Sequence, residues 1–560
     1  MTTMNPSADT EPSPAIRVTE ATVTSAASQH AALTVLQSLA WPELLAETSP
    51  EVSPELPAVR RRYQLSPAVL CLLGVLVLQA ALSLRLIWSN TAFEDEALYL
   101  WAGHLEWLHW LHGTPVPDYA SFFSGAPVIY PPLGALADSI DGLIAARILS
   151  LCFMLVATGL LYDSTRRLLL DRRAAVYAAC VFALLGPTSA LAFATYDAMA
   201  LMLIALAAWL AIRASGRHPE PFILLAALAM ALANATKYAS ALWDPAVIAV
   251  AVVASWHAGP WRRLLRAGRI VLYWACAIGI ALRFGGAAYE HGVLFTTVAR
   301  ASSTTPPLRV LGDGFDYIAP VIVLSLLAVV ASFRSSARIR FLCVSVAVAC
   351  WLAPANQARI ETLTSLHKHV DFGAWFAAIA AGYVIVQTSR LQRERSWRIA
   401  VAIAIVIPLT LISINVSGDL FRTWPSSAAL MTELRKLVHQ GPTHYLMDSE
   451  GPVAYYYLHA ELYPGQILGG QAVGCTWRDP ARHRELTGPE ACAVAIGARY
   501  FQLIETDDVE GPQGSPAELA VWKAIRASGA YCLVYRAPEE YHPRDLFQIW
   551  ELPGKRGCQQ

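Results

Sequence analysis

The sequence predicts an all-α membrane protein of about eleven transmembrane helices, followed by a C-terminal α/β domain outside the membrane. Of its 560 residues, 55% are hydrophobic and 15% are charged, whereas soluble domains carry about a quarter charged residues. The apolar residues gather in runs of roughly 15 to 22, about the length that crosses a bilayer as a helix. The formal net charge is zero, so no basic field indicates a nucleic-acid partner.

Arginine clusters recur between the apolar runs and set the predicted orientation. Loops rich in Lys and Arg remain on the cytoplasmic side of a membrane. Because the chain can cross the membrane twice between successive clusters, we expect the N-terminus inside and the C-terminal domain outside. The clusters are Arg60–Arg62, Arg166–Arg173, Arg213–Arg217, Arg262–Arg269, Arg334–Arg340 and Arg390–Arg398.

The chain divides into three predicted parts. Residues 1–64 are rich in Ser, Thr, Pro, Ala and Glu and lack the apolar core of a signal peptide, which predicts a disordered cytoplasmic tail. Residues 65–415 form the predicted membrane domain. Its spans are expected near Ser66–Trp88, Leu143–Leu161, Ala174–Phe193, Ala198–Ile212, Pro221–Ala235, Ala241–Trp256, Ile270–Phe284, Ile318–Phe333, Phe341–Pro354, Phe372–Gln387 and Ile399–Ile414.

Residues 416–560 have the composition of a small α/β domain. Strand-like segments such as HYLMDS at 444–449 and YFQLIET at 500–506 alternate with helical periodicity. Four cysteines fall in this part of the chain, and an even number in an oxidising compartment predicts at least one disulfide, with three pairings open. No Cys or His spacing indicates a zinc site, so no cofactor is assigned, although a divalent cation is compatible with the acidic loop. The four cysteines are Cys475, Cys492, Cys532 and Cys558.

An acidic, aromatic loop after the first span holds the leading candidates for chemistry. Residues 89–142 contain no Lys or Arg, and the segment FEDEALY at 93–99 places Asp95 beside Glu96. We interpret this loop as a surface that presents carboxylates to a substrate carried by a lipid. The alternative is a solvated acidic loop with no chemical role, since exposed carboxylates are common on such loops.

Other polar residues are predicted on the same outer face. Asp197 begins the fourth span, and Lys237 lies between the fifth and sixth spans. Charges close to a membrane tend to be functional, although a lone Lys can also serve as a membrane-edge anchor. The alternative for the run at 367–369 is a solvated loop. The convergence of acids and bases on one face favours a functional site instead. The remaining outer-face candidates are Arg300, Arg309, His367, Lys368 and His369.

The segment VIYPPLGAL, at 128–136, is a second motif of the acidic loop. Tyr130 is followed by two prolines, which predicts a rigid extended stretch that skirts the membrane surface.

Together these motifs resemble the GT-C superfamily of integral membrane glycosyltransferases, in the branch of protein O-mannosyltransferases and bacterial aminoarabinose transferases. The similarity covers about residues 66–250. It rests on DEALY, YPPL, AARILSL, TRRLLLDRRAAVYAA, TYDAMALMLIALAAWL and ANATKYAS.

The resemblance implies a GT-C-type helical bundle that transfers a sugar from a polyprenyl phosphate to an extracytoplasmic acceptor, usually with inversion. Asp95 matches the catalytic acid position of the family and Glu96 its companion, while Asp197 matches an acid of the second outer loop. Lys237 matches a basic residue near the donor phosphate, and Tyr99 and Tyr130 belong to the matching motifs. The later phosphate-binding residues do not align, so Arg300, Arg309 and His367–His369 are assigned from topology alone.

The residue types fit this chemistry independently of the resemblance. A lipid phosphate is a good leaving group, so one carboxylate suffices as the base for an acceptor hydroxyl. Fixed cations stabilise the charge that develops on the departing phosphate.

Other functions remain open at this point. A transporter or flippase of a lipid-linked or small polar substrate is the main alternative, although such proteins commonly show repeats and polar sites at the membrane midplane. An assembly protein whose outer domain binds a partner is another. Within the enzyme class, the donor could be a pyrophosphate-linked oligosaccharide.

Overall fold

A computed structural model describes most of the chain from Ser66 onward, and residues from Leu65 to the C-terminus form one compact unit. The predicted N-terminal tail lies outside the described residues. Those residues are 66–216, 218–298, 305–391, 395–447, 451–463, 465–468, 476–479, 484–506, 516–540 and 542–553.

Helices dominate the chain up to residue 437. The first eight helices are α1 (Pro67–Ile87), α2 (Glu94–His112), α3 (Tyr130–Leu169), α4 (Arg172–Ala183), α5 (Tyr196–Arg213), α6 (Glu220–Thr236), α7 (Asp244–Ala254) and α8 (Pro260–Gly285). The next seven are α9 (Ala287–Thr297), α10 (Pro307–Ser332), α11 (Ala337–Cys350), α12 (Leu352–Arg359), α13 (Leu366–Leu391), α14 (Arg395–Leu420) and α15 (Ala428–Leu437).

The predicted membrane-spanning character is confirmed. In the described part of the chain, eight helices are long and apolar enough to cross a membrane. A ninth span results if α4 is joined to the bent 3₁₀ segment Gly186–Ala192, and α6 and the segment Tyr238–Ala254 are shorter apolar helices. Each of the eleven apolar segments expected from the sequence coincides with one of these helices or with the bent pair.

The helix α13 is the centre of the bundle. The apolar stretch of α13 is buried along its whole length, whereas the apolar stretches of α1 and α8 are almost entirely exposed on the protein surface. An apolar helix that is exposed in a membrane protein faces lipid, and one that is buried packs against other helices. The polar residues at the start of α13 are therefore placed at the centre of one end of the bundle.

The predicted acidic loop is largely helical. Asp95 and Glu96 lie in the first turn of α2, where acidic side chains are favoured by the helix dipole. Tyr130, Pro131 and Pro132 begin α3, so the prediction of an extended stretch there was wrong. Proline is tolerated in the first helical turn because its missing N–H would have no partner there. Near its N-terminal end α3 breaks at Asp141 and Gly142, whose backbone angles are not helical.

Beyond α15 the chain forms the predicted α/β region. A five-stranded sheet has the order β2-β1-β5-β7-β6, with β1, β2 and β5 parallel and β7 antiparallel to its neighbours. Cys492 and Cys532 are both disulfide-bonded, which confirms the prediction of at least one disulfide. The elements are β1 (His444–Met447), α16 (Gly451–Leu458), β2 (Ile467–Leu468), β3 (Thr476–Asp479), β4 (Arg484–Thr487), α17 (Gly488–Gly497), β5 (Phe501–Thr506), α18 (Pro516–Ser528), β6 (Cys532–Glu539) and β7 (His542–Glu551).

Candidate active site

The adjacent acids of the FEDEALY segment point into different surroundings. Consecutive residues of a helix are separated by about 100° around its axis, so Asp95 and Glu96 cannot share one environment. The side chain of Asp95 is 38% exposed. Glu96 is fully buried.

Glu96 forms a closed, bidentate ion pair with Arg147 of α3. Arg147 donates from Nε to one carboxylate oxygen at 2.8 Å and from Nη2 to the other at 2.6 Å. The carboxylate also accepts the backbone N–H of Ala194, at 2.7 Å. The guanidinium in addition donates to backbone carbonyls of residues 86–91. Glu96 therefore anchors the start of α2 and has no lone pair directed at a substrate.

Asp95 pairs with Lys368 at the start of α13. Lys368 Nζ lies 2.9 Å from Asp95 Oδ2, and the ammonium also lies over the ring of Phe93, 5.3 Å from its centroid. Lys368 is buried while Asp95 is partly open to solvent. The lysine thus orients the carboxylate and leaves part of it accessible to a reacting group.

A second buried ion pair joins Asp197, at the start of α5, to Lys237, which follows α6. Thr195 donates its hydroxyl to Asp197 at 3.1 Å. The Lys237 ammonium lies 5.1 Å from the ring centroid of Tyr196. Asp197 also interacts electrostatically with Lys368, so the two ion pairs form one charged cluster.

Tyr99 connects the two pairs. Its hydroxyl oxygen lies 3.5 Å from Asp95 Oδ1 and donates to the hydroxyl of Tyr196 at 2.8 Å. Burial, followed by the negative charge of Asp95, raises the pKa of Tyr99 well above its usual value. Tyr99 therefore remains neutral and serves as a hydrogen-bond donor beside the charged cluster.

The other predicted site residues take different positions. Tyr130 is fully buried, and its hydroxyl lies 3.2 Å from that of Ser150. Arg309 is exposed and lies 3.8 Å from Asp313 of its own helix. The ring of His367 contacts the edge of Tyr317. Two residues complete the set: His369, which lines a cavity beside the cluster, and Arg300, which lies outside the described residues.

Two adjoining cavities lie beside the cluster. One, of about 660 Å³, is lined mainly by apolar side chains of α6, α8, α9 and residues 126–129. The other, of about 380 Å³, has a mixed lining that includes the polar residues Asn356, Arg359 and His369. Tyr238, which directly follows Lys237 in the chain, lines both cavities. The two cavities therefore adjoin at Tyr238, next to the ion pair of Lys237.

Sequence reasoning missed two basic residues at this site. Arg147 lies within the segment AARILSL, where an arginine in an apolar helix requires a buried acidic partner. That signal was present in the sequence. Arg359, which ends α12, lines the cavity of about 380 Å³. No pattern in the sequence indicated its role.

In the described part of the chain, no group of three or more His, Cys, Asp or Glu side chains is placed to hold a metal ion.

Comparison with known proteins agrees with this architecture. Residues 134–283 match the sequence model of the family described as dolichyl-phosphate-mannose-protein mannosyltransferase. No curated protein matches the chain in sequence. Among solved structures, ArnT from Cupriavidus metallidurans bound to undecaprenyl phosphate aligns at a TM-score of 0.55 and 13% identity, over 88% of this chain and 99% of that chain.

The apo state of the same ArnT aligns at a TM-score of 0.54, with 13% identity and the same coverage. The oligosaccharyltransferase AglB from Archaeoglobus fulgidus, in complex with an inhibitory peptide and a dolichol-phosphate, reaches a TM-score of 0.49 at 14% identity. It covers 82% of this chain and 72% of that chain, a likeness too coarse to support an argument.

The fold is that of a multi-pass membrane protein, and it is similar over 88% of the chain to the fold of ArnT. The sequence similarity to the mannosyltransferase family covers residues 134–283.

Proposed function

We propose that this enzyme moves a sugar from a polyprenyl-phosphate donor to a hydroxyl acceptor on the extracytoplasmic side, with inversion and with Asp95 as the base. One observation carries the proposal. Asp95 is the partly exposed acid of a cluster of two Asp–Lys pairs, and the chain neighbours Tyr238 and His369 of its two lysines line the adjoining cavities.

The two cavities support a lipid-linked donor. A polyprenyl chain is apolar, and the 660 Å³ cavity offers an apolar lining within the helical bundle. A phosphate needs cations. Arg359 lines the 380 Å³ cavity, and Lys237 and Lys368 directly precede its lining residues Tyr238 and His369 in the chain. The structure of ArnT bound to undecaprenyl phosphate shows that this fold accommodates a lipid of this class.

The geometry supports direct displacement at the anomeric carbon. The acceptor oxygen forms the new bond to that carbon while the bond to the phosphate oxygen breaks, and its electron pair remains on the phosphate. The acceptor proton goes to Asp95, whose carboxylate Lys368 orients. The nearby lysines stabilise the released phosphate in a partly dehydrated site.

Asp197 has a different proposed role from the one that the resemblance implied. Its carboxylate is buried and paired with Lys237, so it is poorly placed to take a proton from an acceptor. It orients Lys237 towards the donor phosphate instead.

We also propose the chain's orientation and its division. Residues 65–415 form the membrane glycosyltransferase domain, and residues 416–560 form a domain outside the cytoplasmic membrane. The arginine clusters and the disulfide-bonded state of Cys492 and Cys532 support this orientation, since disulfides persist in oxidising compartments. A membrane-impermeant thiol reagent should label a cysteine introduced at Arg435 in intact cells. Labelling that occurs only after lysis would show that this domain lies on the cytoplasmic side.

The function is tested with the purified protein and a panel of polyprenyl-phosphate sugars. Wild-type protein should release free polyprenyl phosphate from at least one donor in the presence of an acceptor. The Asp95→Asn variant serves as the matched control. Donors that remain intact throughout the panel would reject the proposal, as would equal release by the Asp95→Asn variant.

A further inference from the structure

The segment that leads into the helix of Asp95 is short and is held largely by residues far away in the sequence. Residues 88–93 connect α1 to α2 and end two residues before Asp95. Backbone groups of such a segment must find partners elsewhere when they are buried. The position of Asp95 therefore depends on what holds this segment.

One set of partners comes from the membrane bundle. Arg147 donates to the carbonyls of Ser89, Asn90 and Thr91 at 3.2 to 3.4 Å. This contact fixes one side of the segment through the same arginine that binds Glu96.

A second set comes from the chain between α14 and α15. The indole of Trp424 donates to the Thr91 carbonyl at 3.0 Å, and Asn90 donates its side-chain amide to the Trp424 carbonyl at 2.6 Å. The backbone N–H of Ser427 donates to the Thr91 hydroxyl at 3.0 Å. These contacts span more than 330 positions of sequence.

The third contact comes from the terminal α/β region itself. The hydroxyl of Tyr457, in α16, accepts the backbone N–H of Ala92 at 2.8 Å. Ala92 is only 2% exposed, so its N–H has no ready access to water. Losing this acceptor would leave a buried donor without a partner, which is strongly unfavourable.

The neighbours of Tyr457 reinforce the same interface. Tyr456 donates its hydroxyl to Asp138 of α3, and the other oxygen of Asp138 lies 2.7 Å from Nε2 of His104 in α2. The ring of Tyr455 lies parallel to that of Trp101, with the centroids 6.3 Å apart. Three consecutive tyrosines of α16 thus contact the two helices that carry Asp95 and Arg147.

We infer that the terminal domain is part of the catalytic apparatus, and that Tyr457 and Trp424 are positioning residues for Asp95. The inference rests on the proposed function, because it assigns these residues to the placement of the proposed base. A base must be held closely to its reactive geometry, and small displacements cost large factors in rate. The domain holds the segment through contacts additional to those of Arg147.

The test uses full-length Tyr457→Phe, which removes only the hydroxyl that accepts the Ala92 N–H. Turnover should fall about 10-fold with the donor KM unchanged, and hydrogen exchange of the peptide covering residues 88–93 should accelerate. Tyr463→Phe is the matched control, since Tyr463 is an exposed tyrosine of the same domain. It should leave both readouts as in the wild type.

Trp424→Phe is a second, independent variant, since it removes the indole N–H bound to Thr91. Melting temperatures of all variants establish that each is folded. Unchanged turnover in folded Tyr457→Phe and Trp424→Phe would overturn the inference, as would exchange no faster than in Tyr463→Phe. A wild-type protein that uses no donor would reject the proposed function instead, and the exchange measurement would still decide whether the domain holds the segment.

Discussion

Asp95 and Glu96 are adjacent in sequence, yet their surroundings differ in almost every physical respect. Glu96 is fully buried, and both of its oxygens are occupied by one guanidinium and one backbone N–H. Asp95 is partly exposed and contacts the flexible ammonium of Lys368 at one oxygen. The difference separates a carboxylate used for structure from one available for chemistry.

The choice of cation matches this division. Arginine binds a carboxylate through a planar, two-pronged contact that stays charged under all ordinary conditions, which suits a permanent anchor. Lysine is a point charge on a flexible chain. It can pair with one oxygen of Asp95 and still leave part of the carboxylate open to an incoming hydroxyl. The comparison leads to predictions that separate stability from turnover.

The largest effect is expected from Arg147→Ala, because it leaves Glu96 buried without its counter-ion. Breaking one side of a buried ion pair costs about 3 to 5 kcal/mol, so the variant should unfold far more easily in detergent. The measurement is thermal or denaturant unfolding of the purified protein. The double variant Arg147→Met with Glu96→Gln, which removes both charges, should recover part of the loss. Wild-type stability in Arg147→Ala would show that the closed pair is not an anchor.

Asp95→Asn should affect turnover and leave stability nearly unchanged. Loss of the base is expected to lower the rate by at least about 100-fold, while the asparagine keeps the size of the side chain. Release of polyprenyl phosphate measures the rate, and the melting temperature serves as the control. A variant with near-normal turnover would remove Asp95 from the mechanism.

Lys237→Gln tests whether the ion pair of Lys237 with Asp197 has a structural role, like Glu96 with Arg147, or binds the donor phosphate. If Lys237 binds the donor phosphate, donor affinity should weaken about 10-fold, since a charge-assisted contact is lost. Combining it with Asp197→Asn removes the partner charge and separates donor binding from the cost of an unpaired acid. Should donor affinity be unaffected in the double variant, Lys237 is an anchor. Arg359→Gln would then be the variant expected to lose the phosphate contact.

The smallest effect is expected at the exposed pair of Arg269 with Glu220, which is about half open to solvent on both sides. Surface ion pairs contribute about 0.2 to 1 kcal/mol. Arg269→Gln should therefore shift the unfolding midpoint only slightly and leave turnover as in the wild type. A loss of stability comparable to that of Arg147→Ala would mean that burial does not govern how much these ion pairs contribute to stability.

Much of the fold could be predicted from local patterns. Apolar length identified the eleven apolar helical segments of the membrane region, because a bilayer requires long apolar helices whatever their packing partners. The helical nature of residues 94–112 was not predicted. Their mixture of charged and aromatic residues has no long apolar run, and the helix is held by packing against α3 and α16.

The site shows the same limit. Asp95, Lys237 and Lys368 were chosen as candidates from residue type and predicted membrane side, and the structure places all three in one cluster. Their pairing could not be predicted, since Asp95 and Lys368 are separated by 273 positions. Glu96 was grouped with Asp95 because the two acids are adjacent in sequence. Adjacency does not show which face of the helix is buried.

The sequence by itself determined that the chain enters a membrane and where its long apolar helices lie, and it predicted which acids share one side of the membrane. Those properties follow from apolar length and from the charge of the intervening loops, which are local quantities. Tertiary structure alone decided which acid is closed by arginine, which is left open beside lysine, and which part of the terminal domain contacts Ala92. Such assignments depend on the meeting of distant helices, whose relative rotation is set by packing and cannot be read from any one segment.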